Sequence, residues 1–180
     1  DPFQGVPGLP DTEARANAVY CSHGHFDHNH TQNVTLAEGG EDPFAVTEVP
    51  SSHDGQGGAL RGPNTIRRFA AEGLSVVHLG DLGCQLTAEQ VRALRPCDAL
   101  LVPVGGFYTI DAKGAKAVAE ALSPRVIVPM HYRTEAFGLR EIDTVEPFLA
   151  LFSKELVRHY DANRLELTAD TPAQVAVLSV

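Results

Sequence analysis

Four of the chain's eight histidines and one aspartate fall within CSHGHFDHNH, residues 21–30. Imidazole and carboxylate are favoured ligands of borderline metals such as zinc, and both also carry protons near neutral pH. The stretch therefore reads as a metal site, a proton relay or an uncommitted polar loop. In an extended segment, residues two apart point the same way, so His23 and His25 can grip one ion. Asp27 and His28, after the chain turns, can face a second. One ion needs three or four protein ligands. Two ions need more than this loop provides.

The candidates for the remainder are His53 in SSHD, Asp81 in HLGDLG and His131 in PMHY. Each sits beside Gly or Pro, or at the end of an apolar run, where a side chain can be aimed. These seven ligands divide naturally between two metals, and Asp81 can bridge because a carboxylate has two oxygens. An uncommitted polar loop is a poor account of the set, since polar groups placed at strand ends without partners are costly. His78 and His159 read as surface or satisfied core residues, and His30 as lying outside the ligand set.

The elements that must position these residues are legible from apolar periodicity. Residues 18–22 (AVYCS) form a short apolar run that predicts a buried strand leading into the cluster. Residues 44–49 and 64–71 have strand composition, and residues 74–79 (LSVVHL) are a stronger buried strand ending just before Asp81. Thr87-Ala88-Glu89-Gln90 has the form of a capping box, with a short helix to about Leu94. Residues 99–104 (ALLVPV) predict the next strand. Ala112, Ala115, Val118, Ala119 and Leu122 recur at helical spacing, with Thr109 or Asp111 as cap and Ser123-Pro124 as stop. Residues 126–129 predict a strand delivering His131. Val145, Phe148, Leu149 and Phe152 mark one face of a further helix, and residues 165–167 and 174–180 close the chain as strands. Strands and helices alternate, and three strand ends carry the His and Asp residues. This is an α/β layered architecture with its chemistry on one rim.

At 180 residues and 43% hydrophobic content the chain has enough apolar material for one core, and a single domain over 1–180 is expected. With 23 acidic against 14 basic residues, a net charge of -9, and no Lys/Arg run, nucleic-acid binding is not expected. No apolar stretch exceeds strand length and no signal-peptide pattern opens the chain, so a cytoplasmic protein without membrane association is expected. Three cysteines without CxxC spacing fit reduced thiols and argue against a disulfide framework. The sole methionine, Met130, and the start at Asp1-Pro2-Phe3 read as an internal fragment of a longer protein.

Taken in order, HGHFDH, SSHD, HLGDLG and PMHY resemble the metal-binding motifs of the metallo-β-lactamase-fold superfamily. Asp1-Pro2 resembles the aspartate that closes the preceding strand and supports the metal loop. HLGDLG, VPVGGFYTIDA and VIVPMHYRT are most similar to the bacterial and archaeal group assigned as zinc-dependent hydrolases of the β-lactamase fold. The likeness covers almost the whole chain. It implies a four-layer αβ/βα sandwich, here lacking the first strands that relatives carry before the DP element. It also implies that an apolar surface of the sheet needs another cover.

The resemblance further implies that His23, His25 and His53 hold one ion and that Asp27, His28 and His131 hold the second, with Asp81 between them. The ions would be two divalent metals, zinc or else manganese, and a bridging hydroxide would attack a small ester, lactone or phosphodiester. Asp27 and Asp81 would be the catalytic carboxylates, Asp27 orienting the nucleophile and helping to protonate the leaving group. Asp1, Tyr108, Asp111 and Arg133 are candidates for substrate contact or for support of the ligands. The partner is a small-molecule substrate, and a homo-oligomer is compatible with the sequence. The alternatives are a non-catalytic metal-binding member of the fold and a phospholipase-like phosphodiesterase. Related subgroups also resemble ascorbate-6-phosphate lactonases. The short interval from His28 to His53 leaves no room for a large substrate-gripping insertion, and Cys84 stands where many close relatives carry His.

Overall fold

The computed structural model describes residues 1–39 and 42–179. The Gly/Pro-rich opening, residues 1–13, has no helix or strand. It is followed by the short strand β1 (Ala14–Ala16), paired in parallel with β2 (Val34–Leu36). Next come β3 (Ala45–Ser52), β4 (Pro63–Ala71), β5 (Leu74–His78), α1 (Ala88–Leu94), β6 (Ala99–Pro103), α2 (Ala112–Leu122) and β7 (Val126–Met130). The one-turn helix α3 (Glu146–Leu149), β8 (Val157–His159) and β9 (Gln174–Val177) complete the order.

Strands β3 to β9 form one seven-stranded sheet in the order β3-β4-β5-β6-β7-β9-β8. β4 is antiparallel to both β3 and β5, so β3 and β5 point the same way. β6 and β7 continue in parallel from β5. The C-terminal ends of β3, β5, β6 and β7 therefore share one rim, the place where open α/β sheets present their chemistry.

One face of the sheet carries the main core. Val77, Leu100, Val102 and Ile127 pack there with Ala115, Val118 and Leu122 of α2, Leu94 of α1 and Phe148 of α3. Burying these aliphatic side chains is worth about 1.5–3 kcal/mol each. Both expected helix starts are observed. Thr87 and Gln90 exchange reciprocal bonds, with the Thr87 N–H donating to Gln90 Oε1 and the Gln90 N–H to Thr87 Oγ1. α2 is capped by Asp111. Ser123 ends α2 in the left-handed region, at φ 54°. On the opposite face Ala99, Val126 and Ala176 form a smaller cluster with Val76, Val128, Tyr160, Leu165 and Leu167.

Four local expectations are corrected. Residues 18–22 are not a strand. Their polar backbone groups are taken instead by side chains and neighbouring loops, as when Arg67 donates to Cys21 O and Asp1 accepts from the Ser22 N–H. Residues 165–167 pack on the second face without joining a ladder. The helix expected over 145–152 is a single turn with Pro147 near its start, though Phe148 still packs edge-on against Phe152 with ring centroids 5.0 Å apart. The last strand ends at Val177, and Val180, included in that expectation, lies outside the described residues.

The tail is fastened at one residue. Arg125 donates to Asp98 Oδ1 at 3.0 Å and to the carbonyls of Thr168, Ala169 and Thr171. Although burial pushes the Asp98 carboxyl up, the Arg125 guanidinium and Ser75 outweigh it and hold its pKa below the usual carboxylate range. Since both side chains are partly exposed, Arg125→Ala is expected to cost about 1–2 kcal/mol. In a thermal melt at pH 7 this should appear as a fall in Tm of about 2–8 °C. Because the folded-state pKa is depressed, this stabilisation is full above the unfolded value of about 3.9 and fades as pH falls through the folded value. Wild type and variant should therefore converge at the acid end of the range.

Candidate metal centre

The cluster residues arrive from one loop and three separate strand ends. His53 follows β3, Asp81 stands three residues past β5, and His131 follows β7. His23, His25, Asp27 and His28 come from the loop ahead of β2. His131 itself has φ 54° and so turns sharply out of its strand. Gly105 makes room for that turn, since a Cβ there would lie 2.2 Å from the His131 carbonyl oxygen.

The seven residues converge. The ligand atoms of His23, His25 and His53 all lie within 4.8 Å of one another, as do those of His23, His28 and Asp81. Asp81 is 3% exposed and central. Its Oδ1 is 3.4 Å from His28 Nε2, and its Oδ2 is 3.3 Å from His53 Nε2 and 3.2 Å from His131 Nε2. Asp27 Oδ2 lies 4.0 Å from His28 Nε2.

The electrostatics suit cation binding. Burial, then the neighbouring His28, lowers the His23 pKa to about 4, and burial likewise lowers that of His53. Both are neutral at pH 7, which ligation requires. Burial alone would raise the Asp81 pKa, but the hydrogen bond and charge of His131, with His28 and His53, hold it well below the usual carboxylate range. His23 Nε2, Asp81 Oδ1 and His131 Nδ1 are buried with no hydrogen-bond partner. Unpaired buried polar atoms are costly, and a metal ion would satisfy His23 Nε2 and Asp81 Oδ1, which belong to one ligand cluster.

Supporting groups orient the ligands. Asp1 accepts from the Ser22 N–H and hydroxyl, and its Oδ2 stands 3.4 Å from His28 Nδ1. The backbone carbonyl of Tyr108 lies 3.2 Å from His53 Nδ1, which leaves Nε2 facing Asp81. The Tyr108 ring lies against Phe107 and below Arg61. His78 Nδ1 accepts from the Gly80 N–H, and His30 anchors the metal loop by donating its N–H to Pro2 O.

The Asp111 carboxylate caps α2, where it accepts from the Gly114 N–H. Arg133 donates from Nε to Ile142 O at 2.8 Å, which ties a loop. Cys84 packs against the main core.

Sequence reading did not single out two residues that hold ligands in place. Asp54, next to His53, is 3% exposed and accepts from the N–H groups of Gln56, Gly58, Leu60 and Arg61. These bonds, the one from Arg61 foremost, hold its pKa at about 2. The Gly-rich run after it was the available signal, because such a loop leaves N–H groups in need of an acceptor.

Asn64, 1% exposed, had no such signal. Its amide donates to Ser51 Oγ and Leu79 O, and its Oδ1 accepts from the Asp81 N–H. Asn64→Leu is expected to strand the Asp81 N–H and Leu79 carbonyl and weaken metal affinity about 10–100-fold. Competition against a chromogenic chelator would measure this. Unchanged affinity with a lowered Tm would confine Asn64 to folding.

With this geometry established, the chain was compared with known proteins. A family model described as the Beta-lactamase superfamily domain matches residues 1–131. A UPF0173 metal-dependent hydrolase of Archaeoglobus fulgidus is 30% identical over 182 residues, covering 79% of this chain and 78% of the relative. One from Thermoplasma acidophilum is 26% identical over 184 residues, covering 84% and 81%. A crystal structure from Thermotoga maritima, classed as a Zn-dependent hydrolase of the metallo-β-lactamase superfamily, superposes with a TM-score of 0.75 at 34% identity. It covers 99% of this chain and 87% of that one. The α/β fold, the His/Asp cluster at its rim and these matches agree, and the chain belongs to the metallo-β-lactamase superfamily, among its metal-dependent hydrolases.

Proposed function

We propose that the chain is a dinuclear hydrolase that cleaves a small ester, lactone or phosphodiester. The observation that carries this reading is the position of Asp81, buried at the centre of the cluster with imidazole nitrogens from both proposed ligand sets, His53 of one and His28 and His131 of the other, within 3.2–3.4 Å of its oxygens. His23, His25 and His53 would hold one ion, and Asp27, His28 and His131 the other, with Asp81 between. Zinc suits this donor set and manganese is the second choice. When bound, such ions act as Lewis acids and lower the pKa of coordinated water.

The chain's own residues do the rest. Asp27, one-fifth exposed, can accept the proton released as water adds to the substrate carbonyl or phosphoryl centre. It can return that proton to the leaving oxygen as the ester bond breaks, giving an acid and an alcohol. The Tyr108 carbonyl keeps His53 in one tautomer. Among the described residues no helix is long and apolar enough to cross a membrane.

The test is a panel of chromogenic esters, lactones and phosphodiesters, assayed with Zn and with Mn and again after chelation. Turnover that requires metal supports the proposal. Elemental analysis showing no bound metal would sink it.

A further inference from the structure

Beside the Asp27, His28, Asp81 and His131 end of the cluster lies a cavity of about 310 Å³. Away from those four residues its wall is chiefly aliphatic and aromatic: Phe3, Val6 and Leu9 on one side, Phe137, Leu139 and Ile142 on the other, with Met130 and Tyr132 between. Its walls are fastened to each other. The Gly138 N–H donates to Pro7 O at 2.9 Å, and a Cβ at Gly8 would sit 1.9 Å from Ala136 O. The far loop is closed on itself by Arg133, which bonds Ile142 O and Asp143 O.

Charge narrows the ligand. No Lys or Arg lines the cavity among the described residues, while Asp1, Asp27 and Asp81 do. A phosphorylated or carboxylated tail would meet these carboxylates and no protein cation. An apolar tail would meet its like. An apolar cavity of about 150 Å³ holds benzene, so this one has room for roughly eight to twelve carbons.

We infer that this cavity takes the aliphatic chain of an acyl ester or acyl-bearing lactone, with the scissile carbonyl at the Asp27/His28/Asp81/His131 end. The inference rests on the hydrolase reading for the identity of the scissile bond. The presence of a chain-binding cavity can be tested without turnover.

The experiment uses the protein as purified and neutral straight-chain primary alcohols from butanol to dodecanol, with binding followed by isothermal titration calorimetry below their solubility limits. Expected is a Kd that falls about threefold per added methylene and levels off beyond about ten to twelve carbons. Leu139→Lys, at a partly buried position, should abolish the chain-length dependence, and Phe137→Ala should weaken binding of the longer chains several-fold. Leu36→Lys, on exposed β2, should change nothing. Melting curves check that each variant is folded. Binding independent of chain length, an unchanged dependence in both folded cavity variants, or tighter binding of glucose 6-phosphate than of octanol would overturn the inference. If chains bind as expected and p-nitrophenyl esters of the same acyl lengths are not cleaved with metal present, the hydrolase proposal fails and the cavity assignment stands. If short esters are cleaved but chains show no such dependence, the cavity assignment alone falls.

Discussion

Replacing Asp81 by alanine is expected to lower turnover by at least about 10³-fold and to reduce bound metal from two equivalents per chain to one or fewer. The side chain is buried, and three imidazole nitrogens lie within 3.2–3.4 Å of its oxygens. No other carboxylate is so placed among the described residues. Its removal leaves His28, His53 and His131 without the carboxylate they share. Asp81→Asn, which keeps the shape and loses the charge, should retain more metal than alanine and still lose most activity. Metal stoichiometry by elemental analysis, measured beside kcat, checks both. An alanine variant that keeps full activity and loses only thermal stability would assign Asp81 a structural role.

The second large effect is expected on metal removal. Unpaired atoms at His23 Nε2 and Asp81 Oδ1 make the metal-free site electrostatically unsatisfied. Free metal at about a thousandfold above Kd adds about 4 kcal/mol per site to folding. In a chain of this size that corresponds to a Tm rise of about 8–16 °C per site, reversed by chelator and restored by zinc. Protons compete with metal for the same nitrogens. With His23 held at about 4 and His53 also lowered, metal should be retained at pH values where ordinary imidazoles near 6.5 would already be protonated. A Tm that is indifferent to chelator at pH 7 would contradict this account.

The local motifs were legible because their causes are local. HGHFDH carries its ligands in one turn of chain, the capping box of α1 lies within four residues, and α2 repeats its apolar residues at helical spacing. Strands β5 to β7 show as apolar runs because at least one of their faces is buried, while β3 and β4 show only by strand composition. β1, β2 and β8 were not legible. Each has three residues, none fully buried, so no apolar pattern marks it. Residues 18–22 and 165–167 mislead in the opposite direction. Their apolar side chains report burial, which is not the same as ladder pairing.

What the sequence by itself determined was the inventory: which residues can bind metal, and that they sit at strand ends, because ligand chemistry and apolar periodicity are both properties of short stretches. What only the tertiary structure decided was convergence. β4 runs antiparallel between β3 and β5, and this alone puts His53 on the rim shared by Asp81 and His131. Asn64 matters because β4 carries it beneath the Asp81 turn. The loop tie made by Arg133 to Ile142 O is likewise a product of the tertiary structure. The cavity beside the cluster belongs to the same class, since residues 3–9 and 137–142 line one space only once Gly8 lets their backbones meet.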